Sequence, residues 1–329
     1  MPEIPFQNGR LVEALKAARS VLLCTHISPD GDAVGSTLCL AHMLAGMGKQ
    51  TACLCADKIP RKYAFLPGAD AFVQPDTVSG TFDLSMAVDC GDTGRIKGCE
   101  ALFFASPLTA QLDHHGSNPG YAQLEEVDPD APASACIVRR LMRALNVPLD
   151  GNMALCLYCG LSTDTGNFSY SCQSPEIYEI MAELVQTKGF DLESAARKIH
   201  LTRERPHVAL LGRALLSLHY FGENRASGMR LTALDFVQAD AKKEHSDSIV
   251  NYGLDLEGVC ITYLAYDYTP GCVSVSLRCV APYDVCRIAR KMNGGGHIHA
   301  SGAKVYGQSL EEVCRLVEGY IEEELRTLG

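Results

Sequence analysis

Two short apolar runs and a third, mixed strand-like stretch in this chain each end on an acid or a histidine, and this constrains the fold more than any other feature. Residues 21–25 lead into His26, residues 84–88 into Asp89, and residues 108–112 into Asp113-His114-His115. Runs of this length that stay apolar without alternating fit strands buried on both faces. Residues 51–55 read as a further strand, and helical patterns cover 33–47, 133–146 and 152–162. Short strands alternating with helices predict an α/β unit with a parallel sheet covered on both sides. Ligands of such sheets bind beyond the carboxyl ends of the strands, which is where these acids and histidines fall.

After Ser174-Pro175 the texture changes. Residues 175–188 and 192–220 read as helices, the second around Pro206, with no strand pattern between them. Gly222 to Gly228 is a polar break. Strand patterns follow at 229–234, 259–266 and 272–279, then a helix at 283–292 and Gly294-Gly295-Gly296-His297. Ser309 and Glu312 stand in capping-box spacing at the head of a helix ending near Leu328. The expected domains are 1–185, a helical connector at 186–225, and a smaller α/β domain at 226–329, with a cleft between the two domains.

The 39 acids outnumber the 29 bases, for a net charge of −10. That is a poor surface for gripping long duplex nucleic acid. A small anionic substrate is still compatible if a metal supplies local positive charge. No run is long enough for a membrane span, and residues 1–10 lack a secretory pattern, so a cytoplasmic protein is expected. The fifteen cysteines lie largely in apolar stretches and read as reduced, buried thiols. Cys156-x-x-Cys159 has metal or redox spacing but no second pair at zinc-site distance.

Chemistry concentrates in four segments: His26-x-x-x-Asp30-x-Asp32, Asp89, Asp113-His114-His115, and Asp164 in Ser162-Thr163-Asp164-Thr165-Gly166. Each alone has an ordinary reading, as a helix cap, an Asx turn or a solvated loop. The Gly31 to Gly35 spacing does not meet the dinucleotide fingerprint. Their joint occurrence at successive element ends argues for one site. Five carboxylates brought together would repel one another unless protonated or bridged by cations. Oxygen-rich donors with a few imidazoles favour Mn²⁺ over a thiolate-type zinc site, and the donor count exceeds what one ion needs. Two ions sharing a carboxylate is an arrangement used for phosphoester hydrolysis.

These four motifs resemble those of the DHH phosphoesterase family. Gly294-Gly295-Gly296-His297 and Val275-Ser276-Leu277-Arg278 resemble its DHH-associated (type 1) C-terminal domain. A chain of this length without an added module looks like the oligoribonuclease and pAp-phosphatase branch. The resemblance implies a phosphoesterase with two Mn²⁺ ions, Mg²⁺ or Co²⁺ being the expected substitutes. His26, Asp30 and Asp89 would hold one ion, and Asp32, Asp89, His114 and Asp164 the other. Asp113 would orient a histidine, and His115 would contact the scissile phosphate or protonate the leaving oxygen. Arg95 and Asn118 match family positions near the site. Arg278, His297 and the amides of Gly294, Gly295 and Gly296 would hold the rest of a nucleotide, with the helix bearing Arg287, Arg290 and Lys291 offering a basic face. Expected substrates are short single-stranded RNA, pAp, or linear or cyclic dinucleotides, and a homodimer is left open. The non-enzymatic alternative is a nucleotide sensor on the same scaffold.

Overall fold

The computed structural model describes residues 4–169 and 172–327. The chain divides into two compact units, Met1–Thr202 and Arg203–Gly329.

In the first unit, β1 (Ser20–Cys24), β2 (Gln50–Leu54), β3 (Phe72–Val73), β4 (Leu84–Val88), β5 (Thr109–Asp113) and β6 (Leu124–Val127) form one sheet. Its order is β3-β2-β1-β4-β5-β6, and every pair is parallel. Val21 and Leu23 of β1 enter one core, with α1 (Gly9–Ala17), α2 (Gly31–Gly46), α4 (Ser134–Ala144) and α5 (Gly151–Asp164). Leu22 and Cys24 enter the core on the other face with Phe103 of α3 (Glu100–Ala105). Burial on both faces is why these strands read as unbroken apolar runs.

The sheet's order reverses beside β1, with β2 and β3 laid down on one side and β4 to β6 on the other. Loops leaving two adjacent carboxyl ends toward opposite sides open a crevice there. His26 lies two residues past β1 and Asp89 directly follows β4.

Close approach of α2 and α5 sets the other wall. A Cβ on Gly35 would lie 2.4 Å from the Cys156 carbonyl oxygen, so the Gly31 to Gly35 spacing serves helix packing. On α4, buried Arg140 forks onto Glu176 of α6 (Pro175–Gln186), both contacts 2.6 Å, and reaches Asp128 at 2.5 Å. The bidentate pair fixes α4 against α6.

The expected helix over 192–220 is broken. It becomes α7 (Leu192–Ala196), a π-helical turn Arg197–Leu201, α8 (Arg205–Leu216) and a strand, β7 (His219–Phe221). Pro206 sits in the first turn of α8, where its missing N–H costs nothing. Gly222 to Gly228, the polar break, is structured. It holds the β7–β8 hairpin turn and the start of β8 (Ala226–Leu231).

The second unit continues with α9 (Ala233–Gln238), α10 (Asn251–Leu254), β9 (Ile261–Thr269), β10 (Cys272–Cys279), α11 (Val285–Lys291), β11 (Gly295–Gly296), β12 (Ala300–Tyr306) and α12 (Leu310–Thr327). Its sheet order is β11-β12-β10-β9-β8-β7, antiparallel except for β8–β9. Helices α11 and α12 cover one face. Residues of α8 and α9 cover Met229, Leu231 and Leu264 on the other. The Ser309–Glu312 capping box forms, with amide contacts of 2.8 and 3.3 Å. The expected helix end at Leu328 lies outside the described residues.

Candidate metal centre

Asp89 stands at the middle of the cluster. Its Oδ2 is 3.7 Å from His26 Nε2, and its Oδ1 is 3.6 Å from His114 Nε2 and 3.9 Å from His115 Nδ1. The carboxylate is 2% exposed, and Ser134 Oγ donates to Oδ1 at 2.9 Å. Asp89 also adopts φ 58°, a left-handed conformation that Asp tolerates better than most residues. This turn immediately after β4 aims the carboxylate across the strand end.

Asp30 has two uses. Its Oδ1 caps α2, accepting from the amides of Asp32 and Ala33 at 3.1 and 3.0 Å. Its Oδ2 faces His26 Nε2 at 3.7 Å. Asp32 is fully buried and accepts from the amides of Ser134 (2.6 Å) and Ala135 (3.1 Å) and from Ser36 Oγ (2.8 Å). The N-terminus of α4 thus points its donors at the acidic centre. Asp164, the last residue of α5, meets His114 Nε2 at 3.1 Å.

Each imidazole is held from behind through its Nδ1. His26 Nδ1 lies 2.8 Å from the Ile27 carbonyl and 2.8 Å from the Arg95 guanidinium, and His114 Nδ1 lies 3.1 Å from the Ala131 carbonyl. Each Nε2 is turned toward carboxylates, as in a metal-binding histidine whose other nitrogen is hydrogen-bonded. Ligand atoms of His26, Asp30 and Asp89 lie within 4.8 Å of one another, as do those of Asp32, His114 and Asp164 and those of Asp89, His114 and His115. The donors are carboxylate oxygens and imidazole nitrogens. Nearby Cys90 stays a thiol, its pKa pushed well up by burial and then by Asp89. This donor set fits hard or borderline divalent cations.

The titration behaviour says the same. Burial opposes a charged His26, yet Asp30 and Asp89 outweigh it and raise its pKa to about 10. His114 rises to about 10 against the same penalty, through Asp164, Asp32 and Asp89. Asp30 is likewise penalised by burial, but His26 and the Ala33 amide hold it down at about 2. Burial, then Asp89 and Asp164, push Asp32 up. Without a metal, protons on the imidazoles are what balances the carboxylates.

Asp113 orients His115, the second of the two adjacent histidines. Its Oδ1 accepts from His115 Nδ1 at 2.7 Å, and Asn118 Nδ2 donates to Oδ2 at 2.6 Å. The hydrogen bond that His115 gives to Asp113 is the largest effect raising the His115 pKa. Asn118, expected at the substrate, is engaged inside: its Oδ1 accepts from Gln111 Nε2 and the Gly120 amide, and its Nδ2 also reaches the Cys90 carbonyl. The structure makes it a support for Asp113. The Arg95 guanidinium lies 2.8 Å from His26 Nδ1. That contact places the guanidinium beside the acidic cluster.

Two family models match the chain: "DHH family, N-terminal domain" over residues 20–161 and "DHHA1 domain" over residues 229–323. A bifunctional oligoribonuclease and PAP phosphatase NrnA from Thermus thermophilus is 33% identical over 328 residues, covering 98% of this chain and 96% of that protein. The chain belongs to the DHH family. The NrnA protein of Bacillus subtilis is 21% identical over 310 residues, covering 93% of this chain and 95% of its own. The crystal structure of an exopolyphosphatase-related protein from Bacteroides fragilis superposes with a TM-score of 0.90 at 27% identity, covering 95% of each chain.

The DHHA1 residues named from sequence fall in the second unit. Arg278 ends the polar face of β10 and donates to the Leu277 carbonyl at 2.8 Å. The triple glycine is partly engaged by the fold itself. Gly294 N–H closes α11 on the Ala289 carbonyl at 2.9 Å, while Gly295 and Gly296 pair with Gly302 and Ser301 of β12. A Cβ on Gly294 would meet the Gly302 carbonyl at 2.2 Å, so the glycines serve close backbone approach. His297 is exposed in the turn that follows, its amide donating to the Ala300 carbonyl at 2.9 Å. Of the three basic residues of α11, Arg290 is exposed, while Arg287 and Lys291 also face acids of α12. They lie 3.8 and 2.8 Å from Glu324 and Glu323 of α12.

Sequence reasoning missed Ser134 and Ser36, which donate to Asp89 and Asp32, and Gln111, which donates to Asn118 behind Asp113. Ser134 carried one usable signal, a small polar residue at the start of an amphipathic helix, but such residues are common caps.

Proposed function

We propose that this DHH-family phosphoesterase hydrolyses short oligoribonucleotides and pAp to mononucleotides, using two divalent cations, with Mn²⁺ favoured and Mg²⁺ or Co²⁺ as substitutes. The observation that carries the reading is Asp89 shared between two groups of ligands in the crevice of the parallel sheet. One cation would be held by His26, Asp30 and Asp89, the other by Asp89, His114, Asp164 and the lone pairs Asp32 has left. Such a pair supplies Lewis acidity at the phosphoryl oxygens and an acidified water. The near full-length relative from Thermus thermophilus, named for oligoribonuclease and PAP phosphatase activity, supports the substrate class.

The chain's own residues then have defined tasks. Asp113 Oδ1 keeps the Nδ1 proton of His115 in place, so that His115 would contact the scissile phosphate or give a proton to the leaving oxygen. Asn118 fixes Asp113. Arg95 would bind a phosphoryl oxygen through its guanidinium. In the DHHA1 domain Arg278 and His297 would hold the distal nucleotide. A cytoplasmic setting belongs to the same reading, with thiols such as Cys156 and Cys159 packed in the core and unpaired.

The test is a substrate panel of pAp, pApA, pGpG and a short RNA, with Mn²⁺ or with EDTA. The expected result is Mn²⁺-dependent release of mononucleotides from short RNA and of AMP from pAp. Failure to turn over any of the four with Mn²⁺ present would favour a nucleotide sensor.

A further inference from the structure

We propose that Arg140 is a positioning residue for one of the two cations, the one assigned above to His114, Asp32, Asp164 and Asp89. This rests on the two-cation reading. Arg140 acts on those ligands through residues 128–135, which supply the supports on the His114 side of the centre. The Ala131 carbonyl stands 3.1 Å from His114 Nδ1. The amides of Ser134 and Ala135 donate to Asp32 at 2.6 and 3.1 Å, and Ser134 Oγ donates to Asp89 Oδ1 at 2.9 Å. That Oδ1 is the oxygen facing His114, while Oδ2 faces His26. The other ligand group is held from elsewhere, His26 against the Ile27 carbonyl and Asp30 against the first amides of α2.

Asp128 pins the head of this segment with every polar group it has. Its amide donates to the Asp113 carbonyl at 3.0 Å, its carbonyl accepts from the Ala131 amide at 3.1 Å, and its Oδ1 accepts from the Asp130 amide at 3.0 Å. Its Oδ2 accepts from Arg140 Nη1 at 2.5 Å, while the other edge of the guanidinium forks onto Glu176. The turn that aims the Ala131 carbonyl at His114 is thus fixed by a buried arginine in the helix that follows it.

The blander reading is an ion pair that only packs α4 against α6. Two points favour positioning. A buried ion pair is weak evidence for stability, since apolar residues of the same volume often serve as well, whereas a planar fork adds direction. The two acids also flank one opening. A cavity of about 380 Å³ is lined by His114 and Asp164, by the turn from Pro129 to Pro132, and by Gln173 and Ser174. Asp128 directly precedes that turn, and Glu176 follows Ser174 by two residues. One guanidinium therefore ties together both segments that border the His114–Asp164 pair.

The experiment titrates the full chain with Mn²⁺ by calorimetry and electron paramagnetic resonance, as wild type, Arg140→Lys and Asp128→Asn. Lysine keeps the charge but cannot hold three carboxylate oxygens in one plane. Asp128→Asn leaves the buried Arg140–Glu176 fork in place, so it decides the matter if Arg140→Lys fails to fold; circular dichroism and melting temperature check both. In each folded variant one Mn²⁺ should bind within about threefold of the wild type and the other at least about tenfold more weakly, the range for groups that orient metal ligands. The resonance of a coupled Mn²⁺ pair should appear only at correspondingly higher Mn²⁺, and kcat for pAp should recover there. Adding Asp128→Asn to His114→Ala should cost that weaker ion little more than His114→Ala alone, because both changes act on one ligand. A loss below tenfold, equal weakening of both ions, or additive losses in the double variant would each overturn the proposal. A wild type that binds fewer than two Mn²⁺ would overturn the two-cation reading itself, and this proposal with it.

Discussion

Replacing Asp89 separates the chemistry of the centre from its stability, because Ala and Asn differ there in calculable ways. The backbone at Asp89 has φ 58°, where Ala is strained by about 1–2 kcal/mol while Asn, like Asp, is tolerated. Ala also removes the acceptor of the buried Ser134 hydroxyl, at about 1–3 kcal/mol. The sum is about 2–5 kcal/mol, and at about 2–4 °C per kcal/mol for a unit of this size Asp89→Ala should melt about 4–20 °C below the wild type. Asp89→Asn keeps the backbone and the Ser134 contact, and it removes one charge from a cluster that already holds Asp30, Asp32 and Asp164. Its metal-free melting temperature should lie within about 3 °C of the wild type. Both variants should lose about a thousandfold or more in kcat, equivalent to about 4 kcal/mol of transition-state stabilisation. The assay combines metal-free thermal melts, calorimetric titration with Mn²⁺ and single-turnover hydrolysis of a short RNA. An Asp89→Asn variant that binds two Mn²⁺ per chain and stays within tenfold of wild-type turnover would refute a shared carboxylate.

Two further outcomes follow from the same geometry. His26 and His114, both raised to about 10 from 6.5, add stability to the metal-free chain that is complete below pH 6.5 and is lost as pH rises through 10. Metal must displace those protons, so the rise in melting temperature on adding Mn²⁺ should widen between pH 6.5 and 9.5; a constant rise would contradict proton–metal exchange. Gly35→Ala puts a Cβ 2.4 Å from the Cys156 carbonyl, so α2 and α5 must separate at a cost of about 1–3 kcal/mol. Since α5 carries Asp164, Mn²⁺ affinity should fall along with the melting temperature, and an unchanged affinity would show that the helix contact does not position the site.

Much of the parallel sheet was legible because burial on both faces writes itself as unbroken apolar runs; residues 84–88 were read as the strand that forms. Strands β3, β6 and β12 were not, since two or four residues, or a Gly-containing stretch like 300–306, carry too little periodicity. The ligand candidates were legible as acids and histidines at strand ends. Which histidine Asp113 supports was not, because Asp113-His114-His115 offers two neighbours and only the turn of the chain brings His115 Nδ1 to 2.7 Å. The pairing of the triple glycine was not legible either: composition signals permissive backbone, and the partner, Gly302, belongs to a strand that was not read.

By itself the sequence determined the chemical inventory, carboxylates and imidazoles stationed at the ends of buried strands, because residue type and apolar pattern are local properties. The tertiary structure decided how that inventory is used. Strand order brought His26 and Asp89 to one crevice, glycine-mediated packing carried Asp164 alongside, and a left-handed turn aimed Asp89 between two imidazoles. Those are distances between residues far apart in the chain, and no local pattern encodes them.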